Sequence, residues 1–466
     1  MGKFRIIVSV TVVFVVFALL VVSGCDSKDR RSDIVDYDQI SSMGDKTDAV
    51  DSVVDVQPEV SPLPVLTSSS QLSDYLAYAA LNNPGLEAAF NSFKADLEQI
   101  PQVKSLPDPK FNYKYYIEEV ETRVGPQQQS FGISQAFPWF GKLDLRAGIA
   151  AQGAKAAKER YESAKLKLFF EVKDAYYEYY YLAKSIAITE ENIQLVKRLE
   201  SVARSRYKSA AGSHPDVIRG QVEMGKLEDR YQGLIDMKVP LSARLNAALN
   251  RPVDAEMDPP AKIEFNEVEL IDNEQIAKLL QSNPELKALD HEIVKNRKSI
   301  ELAKKDYYPN FTFGVNVIDT GDSLVGNPRD NGKDPVVASV SVNIPLWRNK
   351  YAAAKRQARY NFYAAKRRHK QKANSLSSKL KMTLYRFRDA ERKIDLYGDA
   401  LLPKALESLK VTESGFRSAQ GSFTDLIDAQ RILLEFALSY ERALADRSQS
   451  LAEIEMLIGT EIQIKP

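Results

Sequence analysis

The side chains in this sequence most able to exchange a proton near neutral pH are three histidines, His214, His291 and His369, and they stand far apart without the spacing of metal ligands. The paired carboxylates Glu118-Glu119 and Glu190-Glu191 could serve acid–base chemistry, but they read most simply as solvated faces. No glycine-rich phosphate loop of the Walker or dinucleotide kind is present in the sequence. With 64 Lys and Arg against 63 Asp and Glu the net charge is +1, so no large single-sign field exists to hold a nucleic acid. These observations predict no catalytic residue, no metal site, no cofactor and no nucleic-acid partner, and therefore not an enzyme.

The one cysteine has a different kind of chemistry. Lys3 and Arg5 precede an apolar run from Ile6 to Val22, and Val22-Ser23-Gly24-Cys25 follows. This is the pattern of a secretion signal, and its ending resembles the bacterial lipoprotein box, in which the cysteine is acylated and becomes the first mature residue. Residues 1–24 are then a lipoprotein signal peptide and Cys25 carries palmitate or similar chains that hold the protein at a bilayer. The alternative is an uncleaved transmembrane anchor. Asp26 resembles the inner-membrane retention signal of enterobacterial lipoproteins, which bears on which membrane is chosen.

Two further strings share a pattern: Tyr207-Lys208-Ser209-Ala210-Ala211-Gly212-Ser213-His214-Pro215-Asp216 and Phe416-Arg417-Ser418-Ala419-Gln420-Gly421-Ser422-Phe423-Thr424-Asp425. In each, an aromatic residue precedes the glycine by five positions and an aspartate follows it by four. A glycine suits a left-handed turn, and Ser213 or Ser422 suits the cap of the next helix. Turn formation accounts fully for the glycines and serines.

The elements that must carry these strings form two similar halves. After a tether over 25–70, rich in Asp, Ser and Val, Asn83-Pro84-Gly85-Leu86 returns as Asn283-Pro284-Glu285-Leu286 at an offset of 200. Tyr207, Gly212, Asp216 and Gln221 return as Phe416, Gly421, Asp425 and Gln430 at an offset of 209, a drift expected of a tandem duplication with small loop insertions. The halves are placed at 71–260 and 261–466. Each is expected to run helix, two strands, two long helices. Between Trp139 and His214 no proline occurs, and Ala150, Ala154, Ala157, Tyr161, Ala164, Leu168, Val172, Ala175, Tyr179 and Leu182 follow in steps of three and four. That stripe predicts one helix from Lys142 to Tyr207, roughly 100 Å long. Pro240 and Pro403 fall inside helical stretches and predict kinks or breaks.

Strands are expected at Phe111 to Glu118, Gln129 to Phe137, Phe311 to Ile318 and Val336 to Ile344, each with one greasy and one small, polar face. Their length suits tilted outer-membrane strands of about nine to eleven residues. Four strands cannot close a barrel, and lipid does not tolerate an open sheet edge, so several chains must share one barrel. The polar face offers Asn112, Lys114, Thr312, Asn316, Ser339, Ser341 and Asn343 as lumen-lining candidates. The polar, turn-rich linkers Glu119 to Gln128 and Asp319 to Pro335 read as loops at the cell surface.

From about Gln71 to Ile464 the chain resembles the TolC-type outer-membrane efflux proteins. The matching strings include Asn83-Pro84 with Leu86, Leu106-Pro107-Asp108-Pro109, Ile133-Ser134-Gln135-Ala136-Phe137-Pro138 with Gly141-Lys142-Leu143, and the stretch from Leu401-Leu402-Pro403 through Gly421, Asp425-Leu426 and Ala429-Gln430 to Leu457-Ile458-Gly459. The resemblance implies a mainly α protein with a membrane β-barrel: a homotrimer in which each chain gives four strands to a shared twelve-stranded barrel in outer-membrane lipid, above a long periplasmic α-helical barrel. It implies as partners a periplasmic adaptor, or membrane fusion protein, and an inner-membrane pump of the resistance-nodulation-division (RND) type. The repeated strings then form the periplasmic mouth, with Arg206, Tyr207, Lys208, Gly212, Asp216, Phe416, Arg417, Gly421 and Asp425 as candidates for gating or adaptor docking. Cargo could be drugs or other small toxic compounds; the Phe137-Pro138-Trp139 to Gly141-Lys142-Leu143 junction resembles metal-resistance members, and type I secretion uses the same kind of duct. From another class, a lipid-anchored coiled-coil scaffold of the envelope fits the long helices.

Overall fold

A computed structural model describes residue 66 and residues 70–260, 262–263, 268–418 and 420–462. The leader, Cys25 and nearly all of the tether lie outside the described residues. The first half begins with α1 (Leu72–Asn82) and α2 (Pro84–Lys104), where one helix was expected. The break is chemical: the Asn83 side chain accepts from the Leu86 N–H at 3.0 Å, and Pro84, which has no N–H to satisfy, occupies the first helical position. The second half repeats the device between α6 (Asp272–Ser282) and α7 (Pro284–Lys305), with Asn283 accepting from Leu286 at 3.1 Å.

Strands β1 (Lys110–Val120) and β2 (Gln127–Phe137) follow α2, and β3 (Phe311–Thr320) and β4 (Val336–Val342) follow α7. The first three run farther toward their hairpin loops than the alternation suggested, whereas β4 stops two residues short of Ile344. They pair antiparallel in the order β1-β2-β3-β4, leaving β1 and β4 as edges.

The long helix α3 (Lys142–Lys208) has 67 residues and turns into α4 (His214–Asp236) and α5 (Lys238–Ala248). Its counterpart is interrupted: α8 (Arg348–Asp395) passes through one π-helical turn, Leu396–Leu401, into α9 (Leu402–Arg417), and α10 (Phe423–Ile458) returns. Pro403 sits at the second position of α9 and explains the widened turn, because its ring excludes the normal backbone bond one turn earlier. Pro240 lies in the first turn of α5, where its missing N–H costs nothing, and the break falls before it at Met237.

Helices pack side by side in the order α2, α3, α7, α8, echoing the strand order above them. Two cores sit where the shorter helices cross the long ones. The first joins Ala79, Leu86, Leu168, Val172, Tyr176, Tyr179, Leu245 and Leu249; the second joins Leu279, Leu286, Leu376, Leu380, Leu384, Phe387, Ile454 and Ile458. These lists are related by the same offset of 200 to 209 that the sequence strings show. The internal repeat is therefore a repeat of packing. Tyr179 differs from Phe387 by a hydroxyl, which donates to the Met257 carbonyl at 2.8 Å.

Candidate functional site

The sheet is built inside out for a protein surrounded by water. Register places Tyr113, Phe131, Val317 and Val336 in one cross-strand row and Phe111, Ile133, Val315 and Ala338 in another, all on one face. That face has no core behind it: Phe111 is 68% exposed, Ile117 92% and Val340 63%. An exposed apolar band on a sheet marks a lipid or partner surface; here it is bounded on the same face by the Gln129–Asp319 pair and by Gln135. The opposite face holds Asn112, Gly132 and Asn316 in one row and Thr312 between Ala136 and Ser341 in another, with Lys114 opposite Ser130 and Ser339 opposite Gly314. Six of the seven lumen candidates thus share the opposite, more polar face, whose rows are completed by Ile318 and Val337. Asn343 does not belong to the strand row: it lies past the end of β4, and its side-chain oxygen accepts from the Asn310 N–H at 2.5 Å. On the same polar face the Asn316 side chain lies directly over Gly132, filling the space a Cβ would need.

Where strands meet helices, aromatic rings gather. Trp139 stacks on Tyr308 at 5.0 Å and on Phe311 at 5.9 Å, Tyr307 contacts Tyr351, and Phe140 and Trp347 project outward. A ring of this composition at the end of an apolar band is the signature of a membrane–water boundary. Below it the buried Lys142 ammonium donates to the Tyr308 carbonyl at 3.1 Å and the Asn310 side chain at 3.0 Å, with Asp306 at 3.6 Å. Burial lowers its pKa and Asp306 opposes the shift. These bonds fix the β2–α3 junction to the α7–β3 junction.

At the opposite end of the long helices the two hairpin turns pack together. Phe416 and Phe423 are buried with Leu199, Ala203, Val217 and Leu426. The Arg206 guanidinium lies 4.6 Å from the centre of the Phe416 ring, donates to the Phe416 carbonyl and donates to the Ala211 carbonyl at 3.0 Å. Arg206 and Phe416 therefore join the hairpins. Lys208, Asp216, Arg417 and Asp425 stay on their own hairpins; Arg417 pairs with Glu413, and the Asp425 N–H donates to Ser422 at 3.1 Å. Tyr207 leans on the His214 ring.

The turn itself differs from expectation. Gly212 and Gly421 are not left-handed; Ala210 is, at φ 58°. The glycines are favoured by close approach instead, since a Cβ on Gly212 would stand 3.0 Å from the Arg206 Cβ and one on Gly421 would stand 3.2 Å from the Gly415 carbonyl carbon. Ser422 caps its helix, but Ser213 forms no side-chain cap. Three contacts between helices were not anticipated: Arg219 with Thr424, Arg431 with the buried Glu223, and Gln430 donating to Asn192 at 3.0 Å. Gln430 was visible as a repeated polar residue, whereas nothing in spacing alone pairs Arg219 with Thr424.

Among the described residues no cluster of His, Cys, Asp and Glu could hold a metal, and no helix is long and apolar enough to cross a membrane. His291 meets Gln152 and His369 meets Asp290, on separate helices. What remains is a strand sheet with an outward apolar face, set on long helical hairpins: the architecture of an outer-membrane channel subunit. The chain belongs to the outer membrane efflux protein family, whose sequence model matches residues 76–224 and 275–460. It is 20% identical over 426 residues to the cobalt-zinc-cadmium resistance protein CzcC of Cupriavidus metallidurans, covering 89% of this chain and 94% of that one. Among solved structures it is similar to the outer membrane protein VceC of Vibrio cholerae, with a TM-score of 0.70 at 13% identity over 84% of this chain and 97% of that chain. The Campylobacter jejuni CmeC outer membrane channel gives a TM-score of 0.68 at 12% identity over 94% of each. The fold is the TolC type.

Proposed function

We propose that three copies of this chain close a twelve-stranded barrel and a helical tunnel, forming the passive outer-membrane duct of a tripartite efflux system. The observation that carries this reading is the sheet with its exposed apolar face and two unpaired edges, β1 and β4. In lipid each edge needs a partner strand, and pairing β4 of one copy with β1 of the next satisfies both without a special end. Below the sheet, α2 and α8 are the matching free edges of the helix layer. Energy comes from elsewhere, through a periplasmic adaptor and an RND-type inner-membrane pump. Acyl chains on Cys25 hold the tether at the membrane, and the polar sheet face, with Asn112, Lys114, Thr312, Asn316, Ser339 and Ser341, lines the lumen. The hairpin tips form the gated mouth.

Small toxic compounds are the proposed cargo. The similarity to CzcC favours heavy-metal efflux as a second reading. A conduit need not bind what it passes, so a metal cargo requires no ligand cluster in the wall.

The purified protein should run on gels as a heat-sensitive trimer and give discrete single-channel steps in planar bilayers. A monomer that stays soluble after removal of its acyl chains, and that gives no conductance, would fit the coiled-coil scaffold and defeat the proposal.

A further inference from the structure

Helix α8 carries charge that its packing does not absorb. Between Arg348 and Arg388 there are fourteen Lys and Arg and no Asp or Glu. Four are paired: Lys372 with Glu285, Lys379 and Arg386 with Glu453, and Arg388 with Asp272. The other ten have no carboxylate partner among the described residues. Like charges one turn apart disfavour a helix, so local stability does not explain the run.

Beyond the Glu285–Lys372 pair, the neighbouring helix does not neutralise it. Every acid on α7 is already engaged: Glu285 with Lys372, Asp290 with His369, Glu292 with Arg160 and Glu301 with Lys304. The seam between α3 and α7 adds cations instead, because Lys295, Lys298 and Lys305 lie over Gly153, Gly148 and Gly141.

Position around the helix decides what these charges face. At about 100° per residue, Ala358, Ala365, Leu376 and Leu380 form the buried stripe. Ala353, Tyr360, Ala364 and Gln371 lie opposite, along the free edge where the next copy would dock. The two remaining flanks are the broad faces of the wall. One carries Lys355, Arg359, Lys366 and Lys370; the other carries Lys350 and Arg368. Both flanks are positive, but not equally. On the first, cations four to seven residues apart are roughly 6–10 Å from one another along the axis. That is close to a Debye length of about 8 Å, so their potentials merge into one band, whereas Lys350 and Arg368 stand about 27 Å apart and act singly.

Resting on the duct reading above, we propose that α8 makes the tunnel wall an anion-selective band, so that the solutes it favours are small organic or inorganic anions and the cargo it opposes is a bare divalent cation. A cationic lining in a confined aqueous passage raises the local concentration of counter-ions and lowers that of like-charged ions.

The test is the reversal potential of single channels under a KCl gradient across a planar bilayer. The wild type should prefer chloride over potassium several-fold. Two variants separate the flanks: Lys355→Gln, Arg359→Gln, Lys366→Gln and Lys370→Gln together, and Lys350→Gln with Arg368→Gln. Glutamine keeps helix propensity, and trimers on gels verify assembly. One variant should bring the preference down at least twofold and the other should leave it unchanged. Conducting channels that prefer potassium, or whose preference neither variant moves, overturn the inference and leave the duct intact; a protein that never conducts overturns both.

Discussion

Asn83 and Asn283 do the same work at equivalent places, yet not at the same depth. Asn283 is buried, accepts from the Leu286 N–H and donates to the Leu457 carbonyl at 2.9 Å, whereas half-buried Asn83 donates to the Ala248 carbonyl at 3.2 Å. Removing a helix cap costs about 1 kcal/mol, and leaving a buried carbonyl without its donor adds about 1–3 kcal/mol. Asn283→Ala should therefore lower stability by about 2–4 kcal/mol in denaturant titration, and Asn83→Ala by less; equal losses would contradict this account. The sequence displayed both asparagines as matched strings. It did not display their partners, because Leu457 and Ala248 are brought to them only by the return helices. The tip turns make the same point: the glycine positions were legible, but their cause was not, since close approach to Arg206 and Gly415 is a property of the folded turn.

Among the elements, α3 was the most legible, because a stripe in steps of three and four from Ala150 to Leu182, with no proline from Trp139 to His214, admits no other regular structure. Strand faces were equally clear, since alternation fixes which side each residue takes. Strand ends were less so: β3 continues to Thr320 because its N–H donates to Asp334 at 2.9 Å, a contact fourteen residues away in the chain. Gly132 gives a test at this scale. Asn316 occupies the space beside it, so Gly132→Val should force the β2–β3 pair apart or shift its register. Heat-sensitive trimers should become scarce in membranes while the helical signal in circular dichroism persists. Normal trimer yield would show that the polar face is looser than described.

For the whole molecule, the decisive relation is between the two hairpins at the tip. Arg206 with Phe416, and Arg219 with Thr424, join turns that are more than 200 residues apart in sequence. If the mouth opens by separating hairpins, a covalent link there should hold it shut. The only native cysteine is Cys25, so Arg219→Cys with Thr424→Cys gives a defined pair. Oxidised cells should lose export while trimer assembly is unchanged, and a reducing agent should restore it. Export that continues with the disulfide demonstrably formed would remove the tip from the gating mechanism.

The sequence alone determined the duplicated order of elements, the long helix and the two-faced strands, because each is written as a periodicity that neighbouring residues carry by themselves. Only the tertiary structure decided which helices lie side by side, that every acid on α7 is already paired, and that Arg206 reaches across to Phe416. Such facts depend on the distance between residues remote in the chain, and no local pattern encodes that distance.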